Sequence, residues 1–456
     1  MEYSAAYSLN DDIGQEALSG DCTVILKKED ITIMPKFNEP IYLTFRDIVS
    51  INEVDHKINL TLTSKEILTI FKLGYKFDDF LRVLSRYRNE ITIKDMLMHE
   101  SLKISGIDAE YAYFNESGNK LTGKCDIRLY ESALLLIPEK DEIVRIPYCD
   151  IQHVSEENYS LNIITDFNES LMLSKMGSKI DYLTKTLGES INKLSVKSQS
   201  SLKEILPNID PMTIRRVSRF MREGKAARRS DIESVSPQLW KELEKRIDIL
   251  GIGDEYKFLE SLSQKHKMCI GFKRGLLGDL TSEYTWFLTP IYDTDHNKPG
   301  NIMAMEAVSE SGGKATYFFK IVSREDYRNY NNIEELHQQA DKFITRINRS
   351  LMAVNFRRAP IYLPDDKLEE VKYQKYKIAV SKIPQLKELR NLFVGRIIHG
   401  NIDRWKNDVM ELCRFNVSTT DEFAKWTRDN DMIEDDDIIE NNDIVGDSES
   451  VDDMES

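Results

Sequence analysis

Seven basic residues in a fifteen-residue stretch give this chain its strongest chemical signal. They are Arg215, Arg216, Arg219, Arg222, Lys225, Arg228 and Arg229, interrupted by the acid Glu223. On a helix starting at Pro211, Ile214, Val217 and Met221 fall on one stripe beside Arg215, Arg219 and Arg222. The spacing predicts a basic amphipathic helix over 211–229. Such a helix suits an anionic membrane, nucleic-acid phosphates or an acidic protein surface. Charged faces also serve solubility alone.

Other reactive types lie in weaker settings. Asp293-Thr294-Asp295-His296 offers two carboxylates and an imidazole, but in a hairpin turn where Asp bonds its own backbone. A metal would need more ligands than this turn supplies. His266 and Cys269 lie three apart, without a third member to orient the base, and Cys269 sits between Met268 and Ile270. The stretch Gly271 to Asp279 has glycines and two bases but not the phosphate-loop pattern, and reads as a turn between strands. Carboxylates are plentiful, yet none is read as sitting in the apolar context that acid–base work needs. The expectation is no catalytic residue, no cofactor and no metal, hence a binding protein. The enzyme alternative is a site assembled from distant residues within 261–415.

Charge separates body from tail. The 456 residues carry a net charge of −15, and residues 429–456 contain 13 acids and no base, leaving −2 for the rest. That tail has too little apolar surface to fold alone and is expected to be disordered. It could dock on the basic helix and mask it, with salt-sensitive strength. The five cysteines, Cys22, Cys125, Cys149, Cys269 and Cys413, are scattered and odd in number. Buried free thiols in a reducing compartment are expected. The first twenty residues lack a basic-then-apolar leader and no apolar run reaches membrane-span length, so the expected location is cytoplasmic.

The elements that position these groups are set by an internal repeat. Shifting the chain by 103 positions lays residues 20–91 on 123–194 without a gap, matching Gly20/Gly123, Cys22/Cys125, Asp47/Asp150, Ile48/Ile151, Lys72/Lys175 and Gly74/Gly177 among others. The apolar pattern matches too. In the first copy, strands are predicted at Cys22–Leu26, Asp30–Met34, Ile41–Phe45, Ile48–Val54, Ile58–Thr63 and Ile67–Leu73. Phe77, Phe80, Leu81, Leu84 and Tyr87 then recur at helical spacing. In the second copy the closing helix buries Ile180, Leu183, Leu187 and Ile191. Between the copies, Ile93–Ile104 reads as a short helix and Glu110–Phe114 as a leading strand.

Antiparallel strands closed by one C-terminal helix, with an Asp-Ile step in Tyr42–Ile51 and Arg145–Val154, resemble the pleckstrin-homology superfold, including GRAM-type domains. The resemblance implies protein contacts through strand edges and the groove beside the closing helix, or lipid-headgroup binding through basic residues in the first strand loop. Here those loops are Lys27-Lys28-Glu29-Asp30, where acids cancel the lysines, and Tyr130-Glu131-Ser132-Ala133, which has no base. Phosphate recognition needs several convergent cations, so both loops read as solvated turns.

Beyond the repeats, helices are predicted after Asp210-Pro211, with Gly224 as a stop signal, and after Ser236-Pro237, ending at Gly251. A meander follows: Met268–Lys273, Tyr284–Tyr292, Ile302–Ser309 and Ala315–Val322. Its aromatics, Trp286 and Tyr317 to Phe319, suit a core. Long helices follow at Ile333–Asn355, Pro384–His399 and Asp403–Phe415. The expected fold class is multidomain α+β. Residues 1–19 form an N-terminal segment, 20–92 and 93–194 two pleckstrin-like β-barrel or sandwich units closed by helices, and 195–260 a basic helical connector. Residues 261–428 form an antiparallel sheet with helices, and 429–456 a disordered acidic tail. The expected role is a scaffold for protein contacts, and the alternative is anionic membrane or nucleic-acid binding through 211–229.

Overall fold

The computed structural model describes residues 1–427 except 12–13, 98–99, 277–278, 292–299, 310–313, 329–332, 354–357 and 371–372. The Asp293–His296 turn and the acidic tail therefore lie outside the described residues. The fold is mixed α and β, built on antiparallel sheets. It divides into two compact units, residues 1–191 with 370–381 and residues 192–369 with 382–456.

In the first unit, β1 (Glu2–Asn10), β2 (Glu16–Leu26), β3 (Asp30–Pro35), β4 (Ile41–Thr44), β5 (Ile48–Val54), β6 (Lys57–Leu62) and β7 (Ile67–Phe71) precede α1 (Phe77–Leu97). The second copy runs β8 (Leu102–Phe114), β9 (Lys120–Tyr130), β10 (Ala133–Pro138), β11 (Val144–Pro147), β12 (Ile151–Glu157), β13 (Ser160–Thr165), β14 (Ser170–Ser174) and α2 (Lys179–Ile205), the last of which belongs to the second unit from Asn192 onward. The strand orders are β4-β3-β2-β1-β7-β6-β5 and β11-β10-β9-β8-β14-β13-β12, the same path taken twice.

Two expectations are corrected here. The N-terminal segment contains a central strand, since β1 pairs with both β2 and β7. Between the copies α1 runs on to Leu97, and a thirteen-residue strand, not a helix, covers 102–104.

Repeat identities acquire physical reasons. Tyr7 stands across from Gly20, and Tyr111 across from Gly123, where a Cβ would lie 3.3 Å from the Tyr111 ring. Cys22 and Cys125 face Ala5 and Ala109. Gly74 and Gly177 both take φ of 59° at the entry to the closing helix, a left-handed conformation that suits glycine. The first core gathers Tyr7, Val24, Ile33, Phe45, Leu60, Ile70, Phe80 and Leu84. In α2, Ile180, Leu183 and Leu187 are buried as the periodicity requires.

The two copies pack on each other. Ile93 of α1 enters a cluster with Tyr130, Leu135 and Ile137, and Glu90 accepts a forked bond from Arg128, one arm at 2.9 Å. β10 is consequently buried along its whole length, whereas Met34 on the equivalent β3 is exposed. Between the copies Glu100 accepts from the Ser132 N–H at 3.1 Å and from Arg145 at 3.0 Å.

The second unit holds α3 (Pro211–Phe220), β15 (Ala227–Arg228), α4 (Arg229–Glu233), α5 (Pro237–Ile249) and α6 (Gly253–Ser261). β16 (Cys269–Leu276), β17 (Asp279–Ile291), β18 (Ile302–Ser309) and β19 (Ala315–Lys320) follow, then α7 (Arg324–Tyr327), α8 (Ile333–Ala353), α9 (Ala359–Tyr362) and α10 (Asp365–Leu368). After α11 (Gln374–Lys382), most of which belongs to the first unit, come α12 (Pro384–Leu392), β20 (Phe393–Ile398) and α13 (Ile402–Ser418). β15 to β20 form one six-stranded antiparallel sheet in chain order. The helical stretch after residue 195 is not a separate connector: Leu202, Val217, Trp240 and Leu243 share a core with Phe287 and Val394. The expected helix over Pro384–His399 is half strand, because from Phe393 the chain pairs with β19.

Candidate functional site

The basic stretch folds as three pieces, not one helix. Asp210 caps α3, accepting from the Met212 and Thr213 N–H groups at 3.0 and 2.9 Å, bonds that hold its carboxyl below the usual range. Ile214, Val217 and Met221 face inward, as the spacing predicts. The helix stops at Phe220. Glu223 and Gly224 take φ of 53° and 92°, and the Trp286 indole N–H donates to the Gly224 carbonyl at 2.8 Å. The chain then enters the sheet at Ala227, held by reciprocal bonds between Ala226 and the Asn348 amide.

That kink sorts the seven bases. Arg228 pairs with Asp341 at 2.9 Å, and Arg229 with Glu233, Glu244 and Glu260. These two are structural cross-links rather than part of a binding face. Arg222 and Lys225 are half-buried. Arg215, Arg216 and Arg219 remain exposed on α3, with exposed Met212 and Phe220 on the same short helix. The result is three cations flanked by two apolar side chains.

Among the described residues neither headgroup loop gathers several unpaired cations: Arg145 reaches Ser132 at 3.2 Å but is neutralised by Glu100. Lys27 pairs with Asp30 at 3.5 Å, and Ser132 is occupied by Glu100. His266 is exposed and Cys269 is fully buried, its thiol pushed up by desolvation, so they make no nucleophile–base pair. All five cysteines are buried and none is joined in a disulfide. Burial pushes Cys22 up to about 11 and both Cys125 and Cys413 to about 12. A thiol reagent such as DTNB is expected to leave all five untouched in the native protein and to titrate all five in denaturant. A fast-reacting thiol before unfolding would contradict this.

One carboxylate does sit in an apolar context, contrary to the sequence reading. Glu306 on β18, between Met305 and Ala307, is fully buried. Burial pushes its carboxyl pKa up, against opposing hydrogen bonds from His399 and Thr316. Thr316 Oγ1 donates to it at 2.5 Å, and His399 Nε2 lies 3.1 Å away. His399 Nδ1 is 3.4 Å from Glu255, and its ring meets Trp405 edge-on. The signal was a lone acid in Met303-Ala304-Met305-Glu306-Ala307-Val308.

A second missed cluster anchors residues 419–427. The Arg324 guanidinium donates to the carbonyls of Asn416, Asp421, Glu422 and Ala424, Lys320 pairs with Glu422, and Trp426 N–H donates to the Val394 carbonyl at 2.8 Å. This strap ends where the acidic tail begins.

No helix among the described residues is long and apolar enough to cross a membrane. No protein-family model matches the chain, and no curated protein matches it. Among solved structures, the C-terminal domain of an unknown protein from Leishmania infantum is similar over 22% of this chain and 95% of that chain, at 14% identity and a TM-score of 0.18. A likeness at that score carries no argument about fold or function.

Proposed function

We propose that this chain is a non-enzymatic, cytoplasmic binding scaffold whose first unit comprises two pleckstrin-homology-like modules used for protein contacts. The observation that carries the reading is the shared strand order of two seven-stranded sheets, each followed by a closing helix. This is a fold-level analogy, and function is grafted on such folds rather than fixed by them. Packing of one copy on the other supports a rigid tandem platform, which presents two surfaces at a set spacing. The buried Glu306 and His399 support a structural role, since each is engaged by neighbours inside the core. Five buried cysteines, none joined in a disulfide, favour a reducing compartment.

A second reading rests on the exposed Arg215, Arg216 and Arg219 beside Met212 and Phe220: attachment to an anionic membrane or nucleic acid. The acidic residues 429–456 would mask that face. Co-purification from the native host, at low and high salt, separates the two. The full-length chain and its R215E/R216E/R219E variant are compared. The scaffold reading expects a stoichiometric protein partner that survives both high salt and charge reversal. Recovery of lipid or nucleic acid alone, lost in salt and lost with the variant, overturns it in favour of α3.

A further inference from the structure

The contact between the two copies can be transposed by the repeat offset, and much of the transposed contact lies exposed: Met34, Phe37 and Tyr42 around a buried Thr32 on one side, and Asn192, Ser195 and Val196 on the other. In the observed contact, the outer face of β9, β10 and β11 receives α1. Leu135 and Ile137 form the floor, Arg128 and Arg145 flank Leu135 across the register, and Ile93 seats on Tyr130, Leu135 and Ile137.

Subtracting 103 carries this face onto the first copy. Leu135 becomes Thr32, Ile137 becomes Met34, Lys140 becomes Phe37, Arg128 becomes Ile25 and Arg145 becomes Tyr42. The register confirms the geometry: Ile25, Thr32 and Tyr42 form one cross-strand row, and Thr23 and Met34 the next. Yet Met34 is 44%, Tyr42 73% and Phe37 89% exposed. Polar residues would suit a wet face, so large apolar ones there call for a cover.

Adding 103 to the docking helix is equally informative. Ser85, Asn89, Thr92 and Ile93 of α1 become Gly188, Asn192, Ser195 and Val196 of α2. At three of the four positions the chemistry is kept, with Asn retained, Thr replaced by Ser and Ile by Val, while Ser85 gives way to Gly188. The α1 set is buried. On α2, Asn192, Ser195 and Val196 are exposed, Val196 at 62%. Among the described residues the chain thus presents a sheet face without its helix and a helix face without its sheet.

We propose that the occupant of the Met34–Phe37–Tyr42 face is the α2 helix of a second copy of this chain, docked as α1 docks on β10. The contact is head-to-tail, so it propagates into a linear assembly instead of closing as a symmetric dimer. It does not rest on the scaffold reading. Its character differs from the internal template in one respect. The Glu90–Arg128 and Asp78–Lys140 ion pairs transpose to Lys193 with Ile25 and Asp181 with Phe37. No ion pair of the template is carried over: the contact draws on Val196 against the apolar Met34, Phe37 and Tyr42, with Lys193 and Asp181 left solvated at its rim, so raised salt leaves it standing.

Sedimentation velocity on the full-length chain tests this. The wild-type mass is expected to rise with concentration past that of a dimer, at low and high salt alike. Two blocking variants separate the halves: M34E/Y42E on the sheet face and V196E on the helix face. Each alone is expected to stay monomeric. Mixed, they are expected to form a one-to-one dimer that grows no further, because each retains the half the other has lost. The dimer also shows that both variants are folded. A wild-type monomer at every concentration overturns the proposal, and exposed apolar residues would then mark a site for a different protein. A dimer that survives in either variant alone overturns it as well, since that is a symmetric contact.

Discussion

Replacing Arg324 with alanine is expected to release residues 419–427 from the second unit and to lower its stability by about 3 kcal/mol. The side chain is 3% exposed and its donors reach four separate carbonyls, of Asn416, Asp421, Glu422 and Ala424, while its own N–H donates to Glu422 Oε2 at 2.8 Å. The guanidinium also lies over the Phe415 ring. A planar fork can serve carbonyls on different sides at once. A lysine ammonium cannot, so Arg324→Lys is expected to rescue little. Trypsin offers the readout, because Lys425 lies inside the strap with its Nζ on the Phe393 carbonyl. Cleavage there should accelerate at least about tenfold in the alanine variant, as about 1.4 kcal/mol of lost docking already gives that factor. Unchanged cleavage would mean that Trp426 and Lys425 hold the strap without Arg324.

The same strap has a pH dependence with a definite sign. Desolvation, with the like charges of Lys320, Arg324 and Arg390, pushes the Lys425 pKa down from 10.5 to about 8. Between those values the docked strap binds fewer protons than the released one. Docking therefore strengthens as pH rises through that window and weakens as pH falls through about 8. Trp426 fluorescence, followed from neutral to alkaline pH, should report progressive burial.

Where sequence and structure part, each difference has a local cause. The repeat is legible from residue 20 because strand, turn and helix positions there share one offset. It breaks upstream, since Ala5 and Tyr7 match Ala109 and Tyr111 at an offset of 104, with a register shift at Leu9/Asn10. A gapless alignment cannot cross that bulge, so β1 falls outside the repeat. The Pro384–His399 segment departs from its expected helix for a different reason. Leu386 and Leu389 are helical core, and the switch to strand at Phe393 occurs without a turn residue to announce it. Pairing with β19 overrides local propensity there. Counted along the chain, the basic stretch reads as one surface, although Gly224 is a stop signal within it. The break at Glu223–Gly224 turns Arg228 and Arg229 toward acids of α4, α5, α6 and α8, leaving Arg215, Arg216 and Arg219 outside. The strap and the Glu306–His399 contact join residues about a hundred positions apart, which local pattern does not encode.

The break in that basic stretch depends on one glycine, which makes Gly271→Ala the other substitution with a large expected effect. Gly271 on β16 pairs with Trp286 on β17. A Cβ at 271 would lie 2.1 Å from Trp286 Nε1 and 2.5 Å from the Gly224 carbonyl oxygen, the two atoms whose hydrogen bond pins the turn. Neither can yield cheaply. Trp286 is fully buried in a close-packed sheet face, and Gly224, in its left-handed conformation, is itself backed against Lys273. Overpacking and loss of a buried bond together are expected to cost about 3 kcal/mol or more. The turn at Arg222–Gly224 would loosen with it, freeing the C-terminal end of α3. Gly188→Ala on α2 is the matched control. Its Cβ meets nothing within 4 Å, and alanine in a helix is favoured over glycine by about 1 kcal/mol, so that variant should be neutral or slightly stabilised. Urea unfolding followed by tryptophan fluorescence compares them directly. If Gly271→Ala unfolds at the same urea concentration as Gly188→Ala, the indole–carbonyl bond does not hold the turn. The separation of Arg215, Arg216 and Arg219 from Arg228 and Arg229 must then come from the β15 pairing and Asn348 alone.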